Sequence, residues 1–176
     1  MNTKIESAIK NNDILVFLVP NTKYSECLEK IVSVISKKFE RICYVSLNKP
    51  YTTICRELGN KKIDTEKFFF IDAVSQKIES DKEHVLYVSS PRALTELSIT
   101  INKVLEIGSV QVVVFDSLST LLVYEGSMTV IKFVHSIIST IRNMKAKAVF
   151  TCLKEDISND LIKDLNMFAD DLIELE

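Results

Sequence analysis

Ile14-Leu-Val-Phe-Leu-Val-Pro20-Asn-Thr-Lys-Tyr-Ser-Glu-Cys-Leu-Glu-Lys-Ile-Val32 carries an unbroken apolar run through a proline turn into an amphipathic helical pattern. A run apolar at every position has no solvent face, so it reads as a strand covered on both sides of a sheet. In an α/β protein such a strand-to-helix junction is the place of a phosphate loop. That loop needs GxxxxGK[ST], because its backbone N–H groups wrap the phosphates at distances and in conformations that a Cβ obstructs. The junction here is Pro20-Asn21-Thr22-Lys23-Tyr24, without a glycine. The scaffold is legible and the phosphate cradle is missing.

The same alternation continues along the chain. Strands are expected at Ile14 to Val19, Ile42 to Leu47, Phe68 to Asp72, Val85 to Ser89, Val110 to Asp116, Ala148 to Leu153 and Asp171 to Leu175. Helices are expected at Thr22 to Lys38, Pro50 to Leu58, Pro91 to Ile107, Ser127 to Lys145 and Ile157 to Met167. In the fourth of these, Val130, Val134, Ile137, Ile138, Ile141 and Met144 recur at the spacing of one buried helix face, with Lys132 and Arg142 off it. Alternating strands and helices predict a three-layer αβα domain, a mostly parallel sheet flanked by helices, with Ile14 to Val19 and Val110 to Asp116 central. Pro20, Pro50 and Pro91 each follow a strand. A proline is tolerated at or just before a helix start, which places all three on the carboxyl edge of the sheet.

Composition sets the bounds. The 176 residues are read as one domain, long enough to bury about two thirds of the unfolded surface in a core. Gly 3 and Pro 3 leave little room for linkers. A net charge of -2 argues against a general footprint for nucleic acid, and no apolar run is long enough to span a membrane. The mixed, charged start Met1-Asn-Thr-Lys-Ile-Glu shows no signal-peptide core, so a cytoplasmic location is expected. Cys27, Cys43, Cys55 and Cys152 form no CxxC pair and read as buried free thiols. His84 and His135 have no partner at triad or metal-ligand spacing and read as structural.

Ligands of open α/β sheets bind beyond the carboxyl ends of the strands. That rule collects Asn21, Thr22 and Lys23 after the first strand, Asn48 and Lys49 after the second, and Asp72 after the third. Ser89, Ser90 and Arg92 follow the fourth strand, and Asp116 with Ser117 the fifth. Cations and carboxylates on one rim, with helix N-termini, could hold an anion and a metal. The competing reading makes Asn21, Thr22, Ser90 and Ser127 helix caps and leaves Lys23, Lys49 and Arg92 solvated. Asp116, closing Val112-Val-Val-Phe115, has the placement of a Walker B aspartate that holds Mg²⁺ beside a phosphate, though such a residue can also cap the next turn.

Arg41-Ile-Cys-Tyr-Val-Ser-Leu-Asn48-Lys49-Pro50-Tyr51, Phe69-Phe70-Ile71-Asp72-Ala73-Val74-Ser75 and Val112-Val-Val-Phe-Asp116-Ser117-Leu118-Ser119 together resemble the KaiC-like branch of the RecA superfamily. The tail Met167-Phe-Ala-Asp170-Asp171-Leu-Ile-Glu174-Leu175 resembles that family's closing strand. The resemblance spans most of the chain and implies a single RecA/KaiC-like domain over residues 1–176. The family's P-loop would fall on Pro20 to Ser25, where its glycines and its Lys-Ser/Thr pair are absent, and its catalytic glutamates fall on Asn48 and Lys49. The resemblance therefore implies a pseudo-ATPase similar to short archaeal KaiC-like proteins, with no catalytic residues and no cofactor. Asp116 would hold a metal only if a nucleotide–Mg²⁺ site survives. The expected role is a protein-interaction or regulatory signalling module, whose partner is an active KaiC-like ATPase or a second copy, with no nucleic acid and no membrane. The alternative is a nucleotide- or phosphometabolite-binding sensor, or a weak ATPase, using a non-standard site of Asn21, Thr22, Lys23, Asn48, Lys49, Ser90, Arg92, Asp116 and Ser117.

Overall fold

A computed structural model describes residues 1–75 and 83–176. Its strands are β1 (Ile14–Val19), β2 (Ile42–Ser46), β3 (Phe68–Asp72), β4 (Val85–Tyr87), β5 (Val112–Asp116), β6 (Lys147–Leu153) and β7 (Asp171–Glu174). They form one seven-stranded sheet in the order β4-β3-β2-β5-β6-β1-β7, and every pairing is parallel. Its helices are α1 (Asn2–Asn11), α2 (Tyr24–Lys38), α3 (Tyr51–Asn60), α4 (Leu94–Gly108), α5 (Leu118–Tyr124), α6 (Ser127–Asn143) and α7 (Asn159–Phe168).

Parallel strands need cover on both faces, and the side-chain period of two divides the core accordingly. Val113 and Phe115 join Ile14, Val16 and Leu18 under α4, α5, α6 and α7. Val112 and Val114 join Leu15, Phe17 and Val19 under α1, α2 and α3. None of these strand residues is more than 1% exposed, as a sheet between two helical layers requires. β5 is central, as expected. β1 is sixth of the seven strands and is still buried, because β7 covers its outer edge. Asp170 fixes this corner by accepting the N–H groups of Asp13 at 2.9 Å and Ile14 at 2.8 Å, with Arg142 at 2.7 Å. Burial works against the Asp170 carboxylate, but Arg142 and the two amides overcome it and hold its pKa below the ordinary value. No helix among the described residues is long and apolar enough to cross a membrane. Cys27, Cys43 and Cys152 are buried free thiols, and Cys55 is half-buried.

Two helices lie outside the expected set. In α1 the buried Ile5, Ala8 and Ile9 follow helical spacing within a charged segment. α5 is a short helix of Leu-Ser-Thr-Leu-Leu-Val-Tyr. The helix expected from Pro91 begins at Leu94, after a turn. The capping reading also needs correction. Pro20 precedes a 3-10 turn at Asn21–Lys23 in which neither Asn21 nor Thr22 caps, and Gly126 stands at the N-cap ahead of Ser127. The Ser90 hydroxyl accepts the Arg92 N–H, at 3.2 Å, in the turn ahead of α4, whose N-cap is Ala93. Among the described residues Ser158 and Asp64 are the side chains that cap, onto Leu161 and Glu66.

With few glycines, two helices end on left-handed lysines. Past α6, Lys145 sits at φ 56°, while the N–H of Ala146 reaches the Ile141 carbonyl at 3.1 Å and the N–H of Lys145 reaches that of Arg142 at 3.0 Å. Lys62 repeats the motif past α3 at φ 58°. This is the Schellman geometry, where glycine avoids the roughly 1 kcal/mol strain that a Cβ carries in the left-handed region. Lys145→Gly is expected to raise stability by up to about 1 kcal/mol in urea unfolding. A loss of more than that amount would show that the Lys145 side chain stabilises the corner.

Candidate functional site

The crossovers determine where the sheet opens. From β2 the chain passes through α3 to β3 on one face, whereas from its neighbour β5 it passes through α5 and α6 to β6 on the other. Loops leaving adjacent strands toward opposite faces open a crevice at the carboxyl edge. A cavity of about 490 Å³ lies there, lined by Asn21, Tyr24, Asn48, Asp116 and Leu153, with Tyr124 at its side.

Its floor is built by strand register. Ser46 is in register with Asp116, and Tyr44 with Val114, so Tyr44 and Asp116 project to the face of α2. Thr151, two residues beyond Val149 on β6, projects to the same side. Tyr24, the first residue of α2, comes down on this group. Its hydroxyl donates to Asp116 Oδ1 and lies 2.9 Å from Thr151 Oγ1. Tyr44 donates to Asp116 Oδ2 at 2.8 Å, and Asn48 Nδ2 donates to Oδ1 at 3.1 Å. Thr120 in turn donates to Asn48 Oδ1, and Ser117 Oγ lies 3.3 Å from Thr120 Oγ1. The Asp116–Ser117 peptide bond is cis.

Three donors on two oxygens are the arrangement of an ionised carboxylate. Asp116 is only 2% exposed, and burial raises its carboxyl above the ordinary value against the lowering pull of Tyr24, Tyr44, Asn48 and Lys49. Burial first, and then the Asp116 charge, push both tyrosine hydroxyls up, so they remain protonated donors.

The entrance is equally engaged. The N–H of Asn21, the first donor after β1, meets both carboxylate oxygens of Glu155 at 3.1 and 3.2 Å. Of the lining side chains, Lys49, Asp116 and Asp156 are charged, and the Lys49 ammonium is held by Glu57 at 2.7 Å. The cavity thus carries no surplus of positive charge.

The structure divides the expected rim. Asn21, Asn48, Lys49, Asp116 and Ser117 line the cavity, while Thr22, Lys23, Ser90 and Arg92 do not. Thr22 and Lys23 face solvent on the 3-10 turn. Ser90 and Arg92 follow β4, the far edge strand, where Arg92 lies 3.8 Å from Glu125 and lines a separate groove. Asp72 is occupied locally, accepting the N–H groups of Tyr51, Val74 and Ser75 at 2.8 Å each. His135 stacks on Phe168 with ring centroids 4.3 Å apart. Sequence reasoning missed Tyr24, Tyr44, Thr151 and Glu155. Tyr44 and Thr151 come under the carboxylate through the order and register of β2, β5 and β6, which no local pattern gives, and no local signal marks Tyr24 or Glu155. Among the described residues, no group of three or more His, Cys, Asp and Glu side chains is placed to hold a metal ion.

Residues 43–175 match the model of a family described as "Family of unknown function (DUF7504)". A crystal structure of the KaiC-like protein PH0186 from the hyperthermophilic archaeon Pyrococcus horikoshii OT3 superposes with a TM-score of 0.67 at 15% identity. The superposition covers 92% of this chain and 71% of that one. At that identity the likeness is one of fold, and the three-layer sheet is RecA-like. The curated proteins contain no match.

Proposed function

We propose that this chain, which belongs to the DUF7504 family, is a single RecA/KaiC-like domain over residues 1–176 that has lost its phosphate loop and serves as an inactive interaction or regulatory module. One observation carries the reading. The two positions where a nucleotide would need the protein free, the amide after β1 and the carboxylate ending β5, are engaged by the chain's own Glu155 and Tyr24.

Each engagement has a chemical consequence. A phosphate needs converging N–H groups and positive charge. Here the Asn21 amide faces a carboxylate, and Pro20 contributes no N–H. A magnesium ion needs oxygen lone pairs in near-octahedral array. Both oxygens of Asp116 instead receive hydrogens from Tyr24, Tyr44 and Asn48, so these residues do not fit Mg²⁺. Asn48 and Lys49 supply no carboxylate to orient an attacking water. The engagement of Arg92 with Glu125 outside the cavity lining, and the pairing of Lys49 with Glu57, weigh against the phosphometabolite sensor. What remains accessible is a surface for protein association, with an active KaiC-like ATPase or a second copy as the proposed partner.

Purified protein with Mg²⁺ is expected to hydrolyse ATP and GTP no faster than its Asp116→Asn variant. Its melting temperature is expected to stay unchanged with ATP, ADP or cyclic nucleotides, since only a ligand that binds the native state stabilises it. Turnover that vanishes in the variant, or a nucleotide-dependent rise in melting temperature, would overturn the reading.

A further inference from the structure

We propose that the carboxyl-edge cavity receives a basic side chain, arginine or lysine, carried between apolar residues on a segment of a protein partner. The proposal deepens the reading of the site as an interaction surface and rests on it.

Two observations combine. The first is the charge balance. Asp116 lies at the floor and Asp156 stands exposed among the lining residues, where it forms no ion pair with the described residues. Glu155, next to it, is exposed and already faces the Asn21 amide. Against these stands Lys49, whose charge is committed to Glu57. Lys154, beside Glu155 in sequence, is likewise drawn to Glu174 at 2.6 Å. A cavity whose anions exceed its uncommitted cations favours a cation: the Asp116 charge, its oxygens taken by three neutral donors, acts through its field, and the open Asp156 carboxylate can accept the fork of a guanidinium.

The second observation is apolar surface at the same mouth. Val123 is 77% exposed and Tyr124 45%, both lining the cavity, and Met128, farther along the chain at the start of α6, is 62% exposed. An aromatic ring and an exposed valine beside a charged recess are the features of a protein-binding patch rather than of a solvated rim. A small cation would be held by the recess alone and would leave Val123 and Met128 in water. A peptide segment covers them, placing its apolar residues on the ridge while its basic side chain enters the recess. The ring of Tyr124 also offers a face to a guanidinium.

The test uses the intact chain and a library of nine-residue peptides with randomised apolar flanks and each of the twenty amino acids fixed in turn at the centre. Arginine and lysine are expected to be enriched at the centre. The best arginine peptide is expected to bind, by fluorescence polarisation, about tenfold tighter than its citrulline analogue, which keeps the shape and removes the charge. Asp156→Asn, an isosteric change at an exposed site, should narrow that gap. Val123→Ser with Met128→Ser should weaken both peptides alike. Equal binding of the citrulline peptide, enrichment of neutral or acidic centres, or no enrichment would overturn the proposal. Binding of arginine amide as tight as that of the peptide would overturn it too, by making the cavity a small-molecule receptor. ATP turnover would sink the underlying reading, whereas charge-blind peptide binding by a protein inert toward ATP would sink only this inference.

Discussion

Phe115→Ala is expected to lower the unfolding free energy by about 3–5 kcal/mol, the range for emptying a buried aromatic site. For a chain of this length that corresponds to a fall in melting temperature on the order of 10 °C. Phe115 is fully buried on the central strand. Its ring lies 5.5 Å from Phe150 on the neighbouring β6 and 6.0 Å from Phe133 on α6. It is thus a joint between sheet and helical layer, and a strand cannot move inward to fill the space without breaking register with both neighbours. Val123→Ala, on the exposed ridge, should change stability by no more than about 0.5 kcal/mol. A Phe115→Ala loss below about 1.5 kcal/mol, read by urea unfolding, would mean that the α4–α7 layer collapses freely onto the sheet. The consequence for the site is direct, since Asp116 is the next residue and its position depends on where β5 lies.

The fold was legible wherever burial leaves a two-sided mark. β1 is apolar at every position and β5 at every position before its closing Asp116, which only a sheet between two layers explains. α1 was not legible, because Ile5, Ala8 and Ile9 are spread among Lys4, Glu6, Ser7 and Lys10, and the composition reads as a polar leader. α5 escaped because it is short and rich in β-branched and hydroxyl residues that signal no helix by propensity. Site residues at strand ends follow from the carboxyl-edge rule, so Asn48, Lys49, Asp116 and Ser117 could be named in advance. Which ends meet is decided by strand order. A chain of alternating elements does not reveal that β4 is the far edge, and so Ser90 and Arg92 were grouped with residues they do not reach. Tyr24 and Glu155 close the site across the crevice, and their reach depends on the direction of two crossovers that leaves no local trace.

Replacing Asp116 by asparagine is expected to change how stability depends on pH, with a definite sign. Burial dominates at this carboxyl and raises its folded pKa above the ordinary 3.8, despite Tyr24, Tyr44 and Asn48. Between the unfolded and the folded pKa the native chain keeps a proton that the unfolded chain has released. Stability then falls as pH rises, by up to about 1.4 kcal/mol per pH unit. The contribution is full below the unfolded pKa, and the loss is complete once pH passes the folded one. Asp170 acts in the opposite sense. Its lowered pKa contributes stability above the unfolded value that is lost as pH falls through the folded one. Because Asp170 is common to both chains, its effect cancels when the two are compared. The difference in unfolding free energy, wild type minus Asp116→Asn, is therefore expected to decline as pH rises above about 4 and then to level off. A constant offset from the asparagine amide facing three donors leaves that slope untouched. A difference that rises across the window would mean that the hydroxyls of Tyr24 and Tyr44 outweigh burial. The carboxylate would then be held at a gain in stability, as an anchor of the fold. A decline means that the fold retains a charge at a net loss, one that a bound cation would offset.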